Sequence, residues 1–311
     1  MILKQVLEIY ELIDRADASG EKLKAFFESK GATDITVTKI LGKQGSTDFI
    51  KVVIAGKHGK LKGGDAPTLG IIGRLGGLGA RPEVIGYVSD GDGAVAAMSV
   101  ALKLVEMQNR GDVLRGDVIV TTHICPDAPT EEHYPVPFMG SPVDMDQMNE
   151  IEVLTEMDAI LSIDTTKGNE IINHKGFAIS PTVKEGYILP VSYDLLQIMK
   201  RVTGRLPNVF ALSTQDITPY SNKLPHINSI LQPAVATSAP VVGVAITTEV
   251  AVAGCATGAS HVIDIEMAGR YAIEVAKDYS EGKCSFYCPE NYQKLIELYG
   301  ESKYLQTPGR E

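Results

Sequence analysis

The sequence has few cysteines and no disulfide pattern. Its four cysteines, Cys125, Cys255, Cys284 and Cys288, are scattered along 311 residues, whereas a disulfide framework needs several pairs in a short chain. Hydrophobic residues make up 44% and charged residues 22% of the chain, which is ordinary for a globular protein and sufficient for a substantial core. We therefore expect a globular protein with free thiols.

The chain also lacks any cluster of positive charge. It has 29 lysines and arginines against 39 acids, so its formal net charge is -10. Nucleic acids and anionic membrane surfaces are bound by clustered Lys and Arg. The sequence therefore predicts neither of these as a partner.

Long apolar runs are missing as well. No segment reaches the ~18 consecutive apolar residues of a membrane span. Met1 to Arg15 has charges within its apolar pattern and lacks the continuous apolar core of a signal peptide. These absences predict a cytoplasmic protein.

The first part of the chain predicts two helices and a hairpin. "ILKQVLEIYELIDR" has apolar residues at helical spacing, and "SGEKLKAFFESKG" restarts a helix after Ser19 and ends it at Gly31. "DITVTKIL" and "DFIKVVIAGK" then alternate like paired strands around a Gly-rich turn.

Strands then alternate with helices. Short, continuously apolar runs are typical of central strands buried on both faces, and four occur: "TLGIIG", "DVIVTTHI", "MDAILSIDTT" and "PVVGVAITTE". Helices are predicted from Gly93 to about Asn109, over "YDLLQIMKRV" and over "HVIDIEMAGRYAIEVAKDY". This order predicts an α/β fold with a largely parallel sheet and helices on both faces. Without a linker or repeat, residues 1–311 are expected to form a single domain.

Polar residues follow the predicted strands, where open parallel sheets bind ligands. They are Arg74 after the first strand with Asp90 and Asp92 a loop later, His123 to Asp127 after the second, Asp164 after the third, and His261 after the loop beyond the last. Carboxylate and imidazole are ligands for Zn, Mn or Co. The pattern predicts a site for one or two divalent metal ions.

From this order of elements, and from the opening "YELIDRADASGEKLKAFFESKG", the whole chain resembles the co-catalytic zinc aminopeptidase and carboxypeptidase superfamily, which includes the tetrahedral (glutamyl) aminopeptidases. The resemblance implies a three-layer α/β sandwich with a central, mostly parallel but mixed sheet, like that of metallo-aminopeptidases and phosphorylase/hydrolases. It also implies a homo-oligomer. The predicted hairpin runs almost directly into "TLGIIG", which leaves little room for a lid or dimerisation domain.

Carried over position by position, the resemblance implies a partial set of metal ligands. "SDGDGAVAAM" supplies the bridging carboxylate as Asp90, with Asp92 as the alternative. Asp164 and His261 follow in the family's order, although each is also placed to cap the element that follows it. "DVIVTTHICPD" has Pro126 and Asp127 where the family has a Glu-Glu pair, so Asp127 is a candidate ligand and the general base is missing there.

The first strand shows the other departure from the family. "GRLG" stands where the family has Gly-His-Leu-Asp, so Arg74 replaces a metal-binding histidine. Arginine has no lone pair to donate to a metal. We therefore hypothesise that Arg74 places a fixed positive charge beside Asp90 and holds a substrate carboxylate. The site then holds one divalent ion (Zn, Mn or Co) or none; alternatively, Arg74 is a surface residue of a turn.

A replacement for the general base is available in the long loop Pro126–Pro142. Glu131 and Glu132, followed by His133, could be brought over a bound substrate, or they could form an ordinary solvated loop. His123 is open to two interpretations, a metal ligand or a hydrogen-bonded core histidine.

The chain as a whole also resembles a bacterial and archaeal family known as domain of unknown function 1177, a label that implies no activity. The leading hypothesis is a metal-dependent hydrolase of the aminopeptidase type, acting on a small peptide, amide or amino-acid derivative. The alternative is a catalytically inactive relative that binds a small ligand or serves as a structural homo-oligomeric protein. A metal-free transferase or lyase is a third interpretation.

Overall fold

A computed structural model describes residues 1–15, 17–42, 45–74, 76, 87–126, 128, 130–131, 138–251 and 260–309, with backbone only at 130–131 and 138–139. The helices in this part of the chain are α1 (Leu3–Ile13), α2 (Gly20–Ser29), α3 (Asp92–Asn109), α4 (Met145–Glu152), α5 (Tyr193–Thr203), α6 (Val262–Ser280) and α7 (Pro289–Tyr299). The two initial helices are confirmed, and Ser19 caps α2 by accepting a hydrogen bond from Lys22 N.

The strands are β1 (Ile35–Gly42), β2 (Gly45–Ile54), β3 (Leu69–Gly73), β4 (Val118–Ile124), β5 (Thr130–Glu131), β6 (Phe138–Met139), β7 (Ala159–Thr165), β8 (Gly176–Ile179), β9 (Val183–Lys184), β10 (Tyr187–Ile188) and β11 (Val241–Thr247). The main sheet has the order β1-β2-β4-β3-β7-β11-β9-β10, and β8 also pairs with β11.

The centre of the sheet is parallel and its edges are antiparallel. The neighbours β4, β3, β7 and β11 run parallel, and the predicted hairpin β1–β2 joins them antiparallel through β4. The four continuously apolar runs are these four central strands, each buried along its length apart from Thr165. The predicted α/β fold with a mixed, mostly parallel sheet is confirmed.

Two cores cover the two faces of the sheet. Ile71 and Leu161 belong to the larger core with α1, α3, α5 and α6. Ile72 and Ile160, one residue along or back on the same strands, belong to the second core with the short 3₁₀ turns near Ile217, because successive side chains of a strand point to opposite faces. In the described part of the chain, no helix is both long and apolar enough to cross a membrane.

The start of α3 packs closely against the carboxyl ends of two central strands, β3 and β7. A Cβ on Gly93 would lie 1.9 Å from the carbonyl oxygen of Arg74 and 2.5 Å from that of Ile163. Any side chain larger than hydrogen would push the helix away. Gly93 therefore fixes the turn before it, Ser89–Gly91, against the sheet edge where ligands bind in this kind of fold.

Candidate active site

Two predicted ligands, Asp90 and Asp164, meet at this edge. Asp90 lies in the 3₁₀ turn Ser89–Gly91, and Asp164 is the second-last residue of β7. The hydroxyl of Thr165 donates to the carbonyl oxygen of Ser89 at 2.8 Å, which ties the turn to the strand end. Asp164 is 3% exposed and accepts hydrogen bonds from its neighbour Thr165 N at 2.7 Å and from Ser229 Oγ at 3.1 Å.

The charge of Asp90 is not compensated by the described residues around it. Burial, together with the negative charges of Asp164 and Asp92, raises the pKa of Asp90 to about 8. Among the described residues, no cation contributes to this shift. Like charges that face each other in a buried position favour protonation or a bound cation.

Asp92, the alternative bridging residue, forms hydrogen bonds with three other side chains. Its carboxylate accepts hydrogen bonds from Tyr87 Oη at 2.9 Å, Lys167 Nζ at 3.1 Å and Ser260 Oγ at 2.5 Å. Burial raises the pKa of Asp92, although these three partners act against the rise. Asp92 therefore connects the start of α3 to the segments after β7 and before α6.

His261 lies at the rim of this edge. It occupies the N-cap position of α6 without a side-chain capping hydrogen bond. Its side chain is 53% exposed, and Nδ1 lies 3.2 Å from Asp264 Oδ2. The adjacent Ser260 holds Asp92, so the segment that carries His261 is anchored to the site even though its ring faces solvent.

The alternative prediction for Arg74, a surface residue of a turn, is wrong. Its side chain is 1% exposed, so it is not a surface residue. Its Nε donates to Glu152 Oε2 at 2.6 Å and its Nη2 to Asn149 Oδ1 at 2.7 Å, and Nη1 lies 2.9 Å from the Met145 sulfur. These partners all belong to α4 and use three of the five guanidinium N–H groups. The hypothesised contact of Arg74 with a substrate carboxylate stays a prediction.

His123 completes this buried network. Its Nδ1 lies 2.6 Å from Glu152 Oε1, and its Nε2 accepts the Gly76 N–H at 3.4 Å. Burial opposes ionisation of Glu152, but Arg74 and His123 outweigh it and hold the pKa of Glu152 below its usual range. His123 is thus a hydrogen-bonded core histidine, the second of its two interpretations.

Sequence reasoning missed Glu152 because it missed α4. The signal was present in "DMDQ": Asp144 accepts from Gln147 N, and the Gln147 side chain accepts from Asp144 N, which forms a capping box. An Asp followed three residues later by Gln would have predicted a helix start here. The helix would have placed Glu152 near the ends of the central strands.

The structure does not describe the side chains of three predicted site residues. Asp127 and Glu132 lie outside the described residues, and of Glu131 only the backbone is described, paired with Phe138. Their roles stay predictions. Among the residues that are described, no group of three or more His, Cys, Asp or Glu side chains has an arrangement that could hold a metal ion; Asp90 and Asp164 give two carboxylates and need a further ligand.

Two solved structures share this fold. The cytosol aminopeptidase of Coxiella burnetii superposes with a TM-score of 0.53 at 15% identity, covering 89% of this chain and 68% of that one. The bottromycin maturation enzyme BotP, solved in complex with Mn, gives a TM-score of 0.51 at 13% identity, covering 89% of this chain and 70% of that one. At such identities the likeness shows an aminopeptidase-like fold, not an activity.

Sequence comparison gives a family. No curated protein matches the chain. Residues 38–309 match a family whose description is "Protein of unknown function (DUF1177)", in agreement with the second resemblance. Because the match spans most of the chain, the protein belongs to the DUF1177 family, a divergent family with a peptidase-like fold.

Proposed function

We propose that this protein is a metal-dependent hydrolase of a small peptide, amide or amino-acid derivative. The observation that carries the proposal is the pair Asp90 and Asp164 at the carboxyl edge of the parallel strands. Burial and neighbouring negative charge raise the pKa of Asp90, and no described cation offsets the rise. A divalent ion is the ligand that best relieves such a pair. The structural neighbour BotP was solved in complex with Mn, which agrees with this chemistry.

The donor set fits one ion incompletely. Asp90 and Asp164 would supply two carboxylates, and the predicted ligands Asp127 and His261 are the candidates for the remaining positions. A Zn, Mn or Co ion bound here would polarise a scissile carbonyl and acidify a bound water. Asp92, by contrast, is committed to Tyr87, Lys167 and Ser260, so we leave it out of the ligand set.

The chain's own residues would orient the reacting groups. Ser229 holds one oxygen of Asp164, and Thr165 holds the turn that carries Asp90. Proton transfer would fall to Glu131 or Glu132 in the loop beyond β4, the predicted general bases. Arg74 has no catalytic part in this proposal, since its guanidinium is buried against Glu152 and Asn149.

The alternative is an inactive relative that binds a small ligand or acts as a structural homo-oligomer. One observation favours it. Arg74 stands at the position where the resemblance places a metal-binding histidine, and it forms a buried ion pair with Glu152. The two proposals differ in what they require of the acids. An enzyme needs Asp90 and Asp164 as carboxylates, whereas a structural protein tolerates asparagine at both positions.

Metal content per chain tests the proposal. Protein purified without chelator or affinity tag is compared by elemental analysis with Asp164→Ala and with the control Asp158→Ala, which alters an acid just before the other end of β7. We expect about one equivalent of Zn, Mn or Co in the wild type and the control, and none in Asp164→Ala. That result justifies a screen with small peptides and amides. If wild-type protein takes up none of the three ions on incubation, the hydrolase proposal is wrong and the alternative gains.

A further inference from the structure

Part of the long connection between α5 and β11 borders Asp164. Residues 213–229, called here the 213–229 segment, contain two short 3₁₀ turns, Gln215–Ile217 and Tyr220–Asn222. Ser229, the last residue of the segment, donates from its Oγ to Asp164 Oδ2 at 3.1 Å. Long connections of this kind in compact domains are often functional. The contact with Asp164 therefore depends on how the segment is held.

Asp216 ties the two ends of the 213–229 segment together. Its side chain is 0% exposed. Asp216 Oδ2 accepts hydrogen bonds from Ser213 N at 2.7 Å and from Ser213 Oγ at 2.8 Å. Asp216 Oδ1 accepts from Ile227 N at 2.6 Å and from Asn228 N at 3.3 Å. A carboxylate has about four acceptor positions, so these four donors use the whole capacity of Asp216.

This arrangement of donors requires a carboxylate at position 216. An asparagine side chain accepts through its oxygen but donates through its nitrogen. In Asp216→Asn, the amide nitrogen would face either the donors of Ser213 or the backbone N–H groups of Ile227 and Asn228. A buried N–H without an acceptor is destabilising, so one end of the segment would come loose.

Asp164 is held through both of its carboxylate oxygens. Asp164 Oδ1 accepts the Thr165 N–H at 2.7 Å, and Oδ2 accepts the Ser229 hydroxyl. The first donor belongs to β7 itself, whereas the second belongs to the 213–229 segment. Because the two amides held by Asp216 directly precede Ser229, the place of the second donor depends on Asp216.

From these contacts we infer that Asp216 is a positioning residue for Asp164. It holds the 213–229 segment so that Ser229 donates to Asp164, and it acts on that acid through Ser229. Carboxylates that bind metal ions are commonly oriented by such hydrogen bonds. The effect of Asp216 on a bound ion rests on the hydrolase proposal above, whereas its effect on the orientation of Asp164 does not.

Hydrogen exchange of the Thr165 amide tests this orientation without metal or substrate. The amide donates to Asp164 Oδ1, so its protection reports whether the carboxylate keeps its place. In the presence of a chelator, Asp216→Asn should accelerate exchange at Thr165 about threefold to tenfold, because Asp164 loses one of its two described donors. Ser229→Ala, which removes that donor directly, should accelerate it by the same factor.

Asp117→Asn is the matched control. Asp117 is 1% exposed and accepts the N–H groups of Gly56 at 2.8 Å and Leu61 at 2.9 Å. It therefore also holds a loop through backbone amides, but it directly precedes β4 and lies at the opposite edge of the sheet. Asp117→Asn should leave exchange at Thr165 unchanged.

Unchanged exchange at Thr165 in Asp216→Asn would overturn the inference. Equal acceleration in Asp216→Asn and Asp117→Asn would overturn it too, because exchange would then follow general stability. Should Asp216→Asn not fold, Ser213→Ala takes its place, since it removes one donor to Asp216 Oδ2. A smaller acceleration at Thr165 is expected in that variant, and no acceleration would count against the inference.

Metal affinity tests whether Asp216 acts through Ser229. If the wild type binds a divalent ion, titration with Mn should give a Kd about 10- to 100-fold higher in Asp216→Asn and in Ser229→Ala. Ser229→Thr keeps the hydroxyl and should keep the affinity. The double variant should bind no more weakly than Ser229→Ala, because both changes remove the same contact. Additive losses would show that Asp216 acts by another route and would overturn the inference.

The two proposals fail in different ways. A wild type that binds no ion contradicts the hydrolase proposal, and exchange at Thr165 then decides the role of Asp216 alone. Conversely, metal binding together with unchanged exchange at Thr165 in Asp216→Asn supports the hydrolase proposal and overturns the positioning role.

Discussion

Two sets of charged side chains lie at the same edge of the sheet and are built in opposite ways. In the closed network, Glu152 joins Arg74 and His123, with both contacts at 2.6 Å. In the open acid pair, the negative charge of Asp164 raises the pKa of Asp90. The first set joins its acid to two groups of opposite charge, whereas in the second no described cation acts on Asp90.

The comparison shows that burial alone does not decide the direction in which the pKa of these acids is shifted. Burial favours the protonated form of both Glu152 and Asp90, yet the pKa of Glu152 is lowered and that of Asp90 is raised to about 8. The difference comes from the neighbours, a guanidinium and an imidazole in one case and two carboxylates in the other. We infer that the closed network supports the fold and that the open acid pair was retained at a cost in stability, as is common for functional sites.

The largest expected effect comes from opening the closed network. Glu152→Ala leaves the guanidinium of Arg74 buried without its anion, and breaking a buried ion pair in this way costs about 3–5 kcal/mol. We expect a loss of this size in the free energy of unfolding, measured by urea denaturation at neutral pH.

Glu150→Ala is the matched control, because Glu150 lies on the same helix but is exposed; it should change stability by less than about 0.5 kcal/mol. Arg74→Met combined with Glu152→Leu should recover part of the loss, since replacing both charges removes the unpaired ion. A loss below about 1 kcal/mol in Glu152→Ala would contradict the view that this network holds α4 to the sheet.

Acid should lower the stability of the folded protein by protonating Glu152 in the closed network. Because the folded-state pKa of Glu152 is lowered, its ionisation stabilises the fold above the unfolded-state pKa of about 4.3. That stabilisation is lost as the pH falls through the folded-state pKa. Below about pH 4.3 the wild type should therefore lose up to about 1.4 kcal/mol per pH unit through this group.

Urea denaturation across the acid range measures this slope, and Glu152→Gln should flatten it. Glu150→Gln, at the exposed position on the same helix, should keep the wild-type slope. Equal slopes in Glu152→Gln and the wild type would mean that other carboxylates dominate acid unfolding and that Glu152 titrates normally.

The open acid pair was predictable from the sequence, and the closed network was not. Continuous apolar runs such as "TLGIIG" identified the central strands, and parallel strands bring their carboxyl ends to one edge, so Asp90 and Asp164 followed from local pattern. Asp164 sits on the strand itself, and Gly93 then fixes the turn of Asp90 against it.

The partner of Arg74 depends on contacts between distant parts of the chain. Glu152 is 78 residues away from Arg74, on a helix that covers the second face of the sheet. Strand alternation gives the face on which a side chain lies, but it does not say which helix covers that face. Asp90 is nearer to Arg74 in the sequence, but the described contacts of the guanidinium are with α4.

The smallest expected effect, and the one of opposite sign, comes from Asp90→Asn. Asparagine has the size of aspartate, and at neutral pH it does not need the proton that a carboxyl with a pKa of about 8 in the folded protein takes up on folding. In the presence of a chelator at neutral pH, urea denaturation should therefore show equal or higher stability, by about 1 kcal/mol. Asp92→Asn is the matched control two residues away; it should destabilise the protein, because Lys167 then loses its carboxylate at a position that is 9% exposed. If Asp90→Asn is destabilised as strongly as Asp92→Asn, Asp90 belongs to the structural charges, and the distinction between an open and a closed set at this edge fails.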